Sequence, residues 1–238
     1  MTNIMNIFKF LSIFLKSITH RKISYSYGGI DSLILNIFKN TNEGFYVDIG
    51  CGHPIKNNNT YLLNKKGWKG INIDLDEQNI NLFNIYRKKD ENINIAVSDD
   101  NKEVDLYFYH SKSAINTISK EAANYQKAKV SSIKKIKSNT LNEILTNSKF
   151  KNIKIDFLSI DVEGSELHVL KNFNFKKYSP KVIVVEYLDL SLSKLEIKNL
   201  KVKNFINSKL YDLLTSNSYT LANILHSDLV FIHNDFRD

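Results

Sequence analysis

Phe45-Tyr46-Val47-Asp48-Ile49-Gly50-Cys51-Gly52-His53-Pro54 decides how the rest of the chain is read. An apolar run ends in an acid, and a glycine-spaced turn follows at once. Such a pattern is expected of a buried parallel strand that presents a nucleotide-like ligand at its carboxyl end. Gly50 and Gly52 can take backbone angles closed to other residues, and without side chains they let a ligand lie against the main chain. A second apolar strand, Gly70-Ile71-Asn72-Ile73-Asp74, ends in another acid. A carboxylate at that strand tip can accept both ribose hydroxyl protons. G-x-G between two acid-terminated strands at this spacing points to an adenosine cofactor rather than to a plain loop.

The turn narrows the cofactor further. A dinucleotide fingerprint carries a third glycine that seats a helix against a pyrophosphate, and none follows Gly52 at that spacing. Asp48 would repel a pyrophosphate but suits an ammonium group. S-adenosylmethionine therefore fits better than NAD.

A chain of 238 residues is expected to form one large domain, with 42% hydrophobic residues to supply a core. The lone cysteine, Cys51, excludes an internal disulfide and fits a reducing compartment. Within the turn it reads as a small residue rather than a nucleophile, because no motif pairs it with a base. The net charge of +8 raises the question of nucleic acid. The lysines are dispersed, however, and Lys134-Lys135-Ile136-Lys137 and the Lys194 to Lys209 segment read as solvated faces. No nucleic-acid partner is expected.

Residues 1–25 form a separate unit in this reading, and 26–238 the main domain. Ile4, Ile7, Phe8, Leu11, Phe14, Leu15 and Ile18 recur at helical spacing, with Lys9, Ser12, Lys16 and Thr19 opposite. The run is too short and too polar to span a bilayer and lacks a signal-peptide cleavage site. Two readings stand: a helix packed on the domain, or a basic amphipathic helix resting on the inner membrane surface of a cytoplasmic protein.

Strands are expected at Phe45 to Ile49, Ile71 to Asp74, Ile93 to Val97, Ile155 to Ile160 and Val182 to Val185, with helices between them. Val104 to Tyr109 reads as an added edge strand and Ile133 to Ile136 as a short strand. One helix is expected from Phe205 to Leu214, then a closing pair, Thr220 to Leu225 and Leu229 to Ile232. Alternating strands and helices imply an α/β fold, a parallel sheet covered on both faces.

In such a sheet the ligand crevice lies outside the carboxyl ends of the strands. Asp48, Asp74, Asp161 and Glu186 all fall there. In Ser159-Ile160-Asp161-Val162-Glu163-Gly164, Asp161 closes a strand and Glu163 occupies the turn. The bland alternative is helix capping, with Glu163 and Glu166 favouring a helix N-terminus. The chemical reading makes Asp161 or Glu163 a catalytic group. His53 follows the cofactor turn and is a candidate to touch substrate. His168 reads as a surface or packed residue. No zinc or serine-hydrolase pattern occurs.

With these residues assembled, the chain resembles the FkbM-type methyltransferases, a branch associated with polysaccharide and glycolipid biosynthesis. The matching pieces include Phe45 to Gly50, His53-Pro54, Asn59-Thr60-Tyr61, Gly67-Trp68-Lys69-Gly70-Ile71-Asn72-Ile73-Asp74, Ala96-Val97-Ser98, Asn116-Thr117, Ile155 to Gly164 and Pro180 to Glu186. The resemblance implies a Rossmann-like class I methyltransferase fold, seven-stranded and mostly parallel with the last strand antiparallel. It also implies S-adenosylmethionine as donor and an oxygen acceptor. Carried onto this chain, it puts Asp48, Gly50, Gly52, Asn59, Thr60, Asp74, Ser98 and Asp161 in the cofactor site. Asp161, Glu163 and His53 are the catalytic candidates. Asp161 and Glu186 are candidates to hold a divalent cation such as Mg. One departure stands out: family members often carry Gln and Glu where this chain has Tyr27 and Ile30, in Ser26-Tyr27-Gly28-Gly29-Ile30-Asp31.

The expected function is O-methylation of a sugar hydroxyl, on a glycan or small-molecule acceptor. A non-catalytic adenosine-ligand or glycan-binding module on the same fold is the competing class, and methylation of another small molecule a third reading. An amino-methylating nucleic-acid enzyme is disfavoured, since the only prolines are Pro54 and Pro180 and no Asn-Pro-Pro-Tyr motif exists.

Overall fold

The computed structural model describes Lys9, residues 11–13, Leu15, and residues 23–150, 154–192 and 201–237. Lys9, Leu11, Ser12, Ile13 and Leu15 are helical and exposed; the other positions of the expected amphipathic helix lie outside the described residues. Among the described residues no helix is long and apolar enough to cross a membrane.

Among the described residues ten strands form two sheets: β1 Phe45–Ile49, β2 Lys69–Asp74, β3 Glu91–Asn94, β4 Ala96–Ser98, β5 Glu103–Phe108, β6 Ser132–Thr140, β7 Phe157–Ile160, β8 Val182–Glu186, β9 Tyr219–Leu225 and β10 Asp228–His233. The main sheet has seven strands in the order β3-β2-β1-β7-β8-β10-β9. Its first five strands pair in parallel; β10 runs antiparallel to both β8 and β9.

Side chains alternate across this sheet with period two. Val47, Ile49, Leu158, Ile160, Ile183, Val185, Leu229 and Phe231 enter one core. Tyr46, Phe157, Val182, Val184 and Val230 enter the other, against Ile30, Ile34, Phe38 and Trp68. Apolar residues on both faces explain why these strands read as nearly continuous hydrophobic runs. From β1 the chain crosses to β2 on one side, and β7 later returns to the other. The strand order reverses there, so a crevice opens at the carboxyl ends of β1 and β7.

Two expectations are corrected. Ile93 to Val97 is not one strand. β3 stops at Asn94, the Ile95 N–H bonds the carbonyl of Asp74, and β2 has no further length to pair with. The chain then enters a second sheet, β4-β6-β5, in which β6 pairs parallel with β4 and antiparallel with β5. Val104 to Tyr109 therefore belongs to this small sheet, and the short strand expected at Ile133 to Ile136 extends over nine residues. The helix expected from Phe205 to Leu214 is two helices, Val202–Ile206 and Lys209–Ser216. Ser208 breaks it: its hydroxyl accepts the Tyr211 N–H and starts the second helix as an N-cap.

The basic run on β6 is solvated where described. Lys134, Lys135 and Lys137 are exposed, Lys135 pairs with Asp105 at 2.7 Å, and Lys134 lies over the Phe108 ring. The segment from Lys194 falls partly outside the described residues.

Candidate active site

The turn after β1 is set by two contacts with its neighbours. The N–H groups of Gly50 and Cys51 both donate to the Ile73 carbonyl of β2. Gly50 has φ 74°, and a Cβ on it would lie 1.7 Å from the Asp161 carbonyl oxygen. Only glycine permits that approach of β1's end to β7's end. Gly52 has φ 57° with open space where a Cβ would point, and its N–H donates to Asp74 Oδ2 at 2.8 Å. Cys51 is buried, and burial first, then Asp74 and Asp48, push its thiol well up. It is a neutral packing residue, as its isolation in sequence implied.

A cleft of about 640 Å³ opens above this turn. Its lining includes Gly50, Gly52, His53, Asn59, Asp74, Asp161, Glu163 and Glu186. Asp74 accepts from Gly52, from the Asp76 N–H and from Asn79 Nδ2. Burial leads in raising its carboxyl to about 6. Asn59 lines the cleft and donates to Ser159 Oγ at 3.2 Å.

Three of the expected cofactor residues do not line the cleft: Asp48, Thr60 and Ser98. Asp48 is one residue short of the end of β1, so the sheet's alternation sends it to the face opposite Ile49. There it is 3% exposed and accepts from Asn58 Nδ2 and Thr60 Oγ1. Thr60 is fully buried in the same network. Ser98 lies in β4, in the small sheet, with its hydroxyl toward Asp99.

Arg87, which no motif announced, completes that network. It is buried, and its guanidinium donates to the Pro54 carbonyl, Asn58 Oδ1 and Thr60 Oγ1 at 2.6–2.7 Å. It thus grips the turn at three points and sets a positive charge beside Asp48. The one available signal was rarity, three arginines in a chain full of lysine.

The acids gather beside the turn, at the ends of β7 and β8. One carboxylate oxygen each from Asp161, Glu163 and Glu186 lie within 4.8 Å of one another. Glu163 holds φ 55°, costly for a side-chain-bearing residue. The Thr117 hydroxyl steadies it by donating to its carbonyl at 2.8 Å. Glu166 instead accepts from the Val162 and Gly164 N–H groups, the bland turn-stabilising role. Asp161 does not cap the helix Glu166–Leu170, whose N-cap is Ser165. Glu186 Oε1 accepts from Ser227 Oγ at 3.1 Å, while Oε2 is sealed from solvent without a protein partner. Burial leads in raising all three carboxyls, helped by their mutual repulsion: Glu163 to about 9, Asp161 and Glu186 well above the carboxylate range. Asp161 itself is open to the cleft, so the desolvation there comes from enclosing walls rather than from a sealed core.

His53 lines the cleft with its Nδ1 filled, accepting the N–H groups of Ile55 and Lys56 at 3.1 Å. Partial burial, then Lys56, Lys112 and Arg87, lower its pKa. The neutral ring therefore carries its proton on Nε2 and donates into the cleft. Lys112 comes from the loop after β5, which is fastened over the cleft by the Lys112 N–H on Asp76 Oδ2 at 2.6 Å. His168 is an exposed partner of Asp99.

The family model described as the methyltransferase FkbM domain matches residues 48–213. The chain belongs to the FkbM methyltransferase family. A search of curated proteins finds no match. Among solved structures it is similar to a TehB-like SAM-dependent methyltransferase from Corynebacterium glutamicum, with 11% identity and a TM-score of 0.43 over 94% of this chain and 96% of that one. As an FkbM methyltransferase the chain is an enzyme of S-adenosylmethionine chemistry, and its residues fit that cofactor. The space over Gly52 is open, and Asp74 at the β2 tip and the three acids line the same cleft.

Proposed function

We propose that this FkbM methyltransferase is an O-methyltransferase acting on a sugar hydroxyl during polysaccharide, capsule or glycolipid assembly. The observation that carries the reading is the cluster of Asp161, Glu163 and Glu186 in the same cleft as the glycine turn. S-adenosylmethionine, when bound, supplies a methyl group on a cationic sulfur. Gly50, Gly52 and Asp74 hold the donor, and the acid wall faces the acceptor. As the donor's methyl group passes to the acceptor oxygen and leaves a neutral thioether, a carboxylate of the wall would take the hydroxyl proton. Holding the two reactants in line contributes on the order of several kcal/mol to the rate.

A sugar hydroxyl is weakly acidic, so proton removal needs a base at the right protonation state. In the free protein the cluster retains protons, because close carboxyls in an enclosed wall resist joint ionisation. A cationic donor in the cleft favours the carboxylate form, and Asp161, open to the cleft, is the assigned base. Neutral His53 orients the acceptor by donating from Nε2.

A second reading has its own observation. Three carboxylate oxygens within 4.8 Å, one group carrying an unpartnered buried oxygen, suit a divalent cation held by Asp161, Glu163 and Glu186. Such an ion would bind two neighbouring hydroxyls and lower their pKa. Methyl transfer to a panel of sugars, with and without a chelator, tests both readings. Transfer that resists chelation supports the carboxylate base, transfer restored only by added Mg supports the cation, and transfer to no sugar overturns the acceptor class.

A further inference from the structure

We propose that Tyr27 and His226, at the mouth of the cleft, form the platform that selects the acceptor by seating the C–H face of its sugar ring. The proposal rests on the sugar-acceptor reading and adds to it the residues that recognise the ring.

Both residues line the cleft. Tyr27 is 60% exposed, and its ring meets that of His226 edge to face with centroids 5.0 Å apart. Most of the Tyr27 ring is therefore free for a ligand in the cleft to cover. Aromatic rings present an apolar face with a polar edge, which suits a ligand that alternates C–H faces with hydroxyls.

Neither ring is loose. Tyr27 stands on a short turn, Tyr27–Gly29, anchored by fully buried Asp31. That carboxylate accepts from Ser24 Oγ and the Tyr25 N–H at 2.6 Å, and from Ser26 Oγ at 2.9 Å. His226 sits in the turn between β9 and β10 with φ 57°. Its Nδ1 hydrogen-bonds Ser227 Oγ at 3.0 Å, and that hydroxyl donates to Glu186 Oε1 at 3.1 Å. Two hydrogen bonds therefore separate the platform from the acid wall. A sugar seated on the open part of Tyr27 would have His226 at its side, with that hydrogen-bond chain leading on to Glu186.

The test is saturation-transfer difference NMR on the full chain saturated with S-adenosylhomocysteine, using methyl glycosides of fucose, mannose and glucose as probes. Ring C–H protons of at least one glycoside should take up saturation. Tyr27→Ala should weaken that glycoside about tenfold, while Tyr27→Phe keeps it. The melting shift with S-adenosylhomocysteine, equal in all three proteins, shows the donor site intact. A glycoside that binds Tyr27→Ala as well as wild type overturns the platform and leaves the sugar reading standing. No glycoside binding to a wild-type chain that binds S-adenosylhomocysteine overturns both.

Discussion

A Cβ on Gly50 would sit 1.7 Å from the carbonyl oxygen of Asp161, so the donor turn of β1 and the acid end of β7 touch through bare backbone. Gly50→Ala must move one strand end or the other and also strains a backbone with φ 74°. We expect a loss of at least ~2 kcal/mol, seen as a fall of several degrees in Tm, together with lost S-adenosylhomocysteine binding. A variant that binds with wild-type affinity would contradict the tight approach.

Asp74 gives the donor site its pH dependence. With its carboxyl raised to about 6 by burial, it is ionised at pH 7.5 and gains a proton as pH falls through 6. Affinity for S-adenosylhomocysteine should drop about tenfold between pH 7.5 and 5. In Asp74→Asn the affinity should start lower and stay flat across that range. Calorimetric titration at several pH values checks both curves.

Glu163 should leave its mark on stability. Its folded pKa of about 9 lies far above the unfolded value, burial being the main cause. The folded chain then holds a proton that the unfolded chain releases. This contribution to stability is complete below about pH 4 and is lost as pH rises through 9. Glu163→Gln should therefore raise Tm over wild type at pH 8.5 and leave it nearly unchanged at pH 4. A gain of equal size at both would mean that Glu163 is not the group responsible.

Asp161→Asn separates chemistry from donor binding. Loss of the base should lower kcat by ~10²-fold or more, while the melting shift with S-adenosylhomocysteine persists. Unchanged turnover would remove Asp161 from the reaction.

Arg87 is the fifth target. Arg87→Met leaves the Pro54 carbonyl, Asn58 Oδ1 and Thr60 Oγ1 without their donor, at a cost of ~1–3 kcal/mol for each buried group left unpaired. Arg87→Lys restores charge but not the fork. Its KM for the donor should rise more than its kcat falls, since the turn it grips holds the donor.

The sequence made β1, β2, the glycine turn and the strand-end acids Asp74, Asp161 and Glu186 readable, because buried parallel strands leave long apolar runs and glycine marks close approach. Asp48 shows the limit of that reading. It sits near its strand end as Asp74 does, yet one residue of register turns it from the cleft to the Arg87 network. The small sheet was hidden for a related reason: the apolar run through Ile93 to Val97 continues past the point where β2 ends, and pairing, not hydropathy, decides where β3 stops. Arg87 and Tyr27 belong to no local pattern. Their roles come from what distant segments bring beside them.

The chain's single thiol sits in the middle of the donor turn, buried and held neutral. It is silent toward thiol reagents while the turn is closed and becomes reactive when the turn opens. The rate at which Cys51 takes a label is thus a clock for that opening, readable without engineering, and a bound donor should slow it.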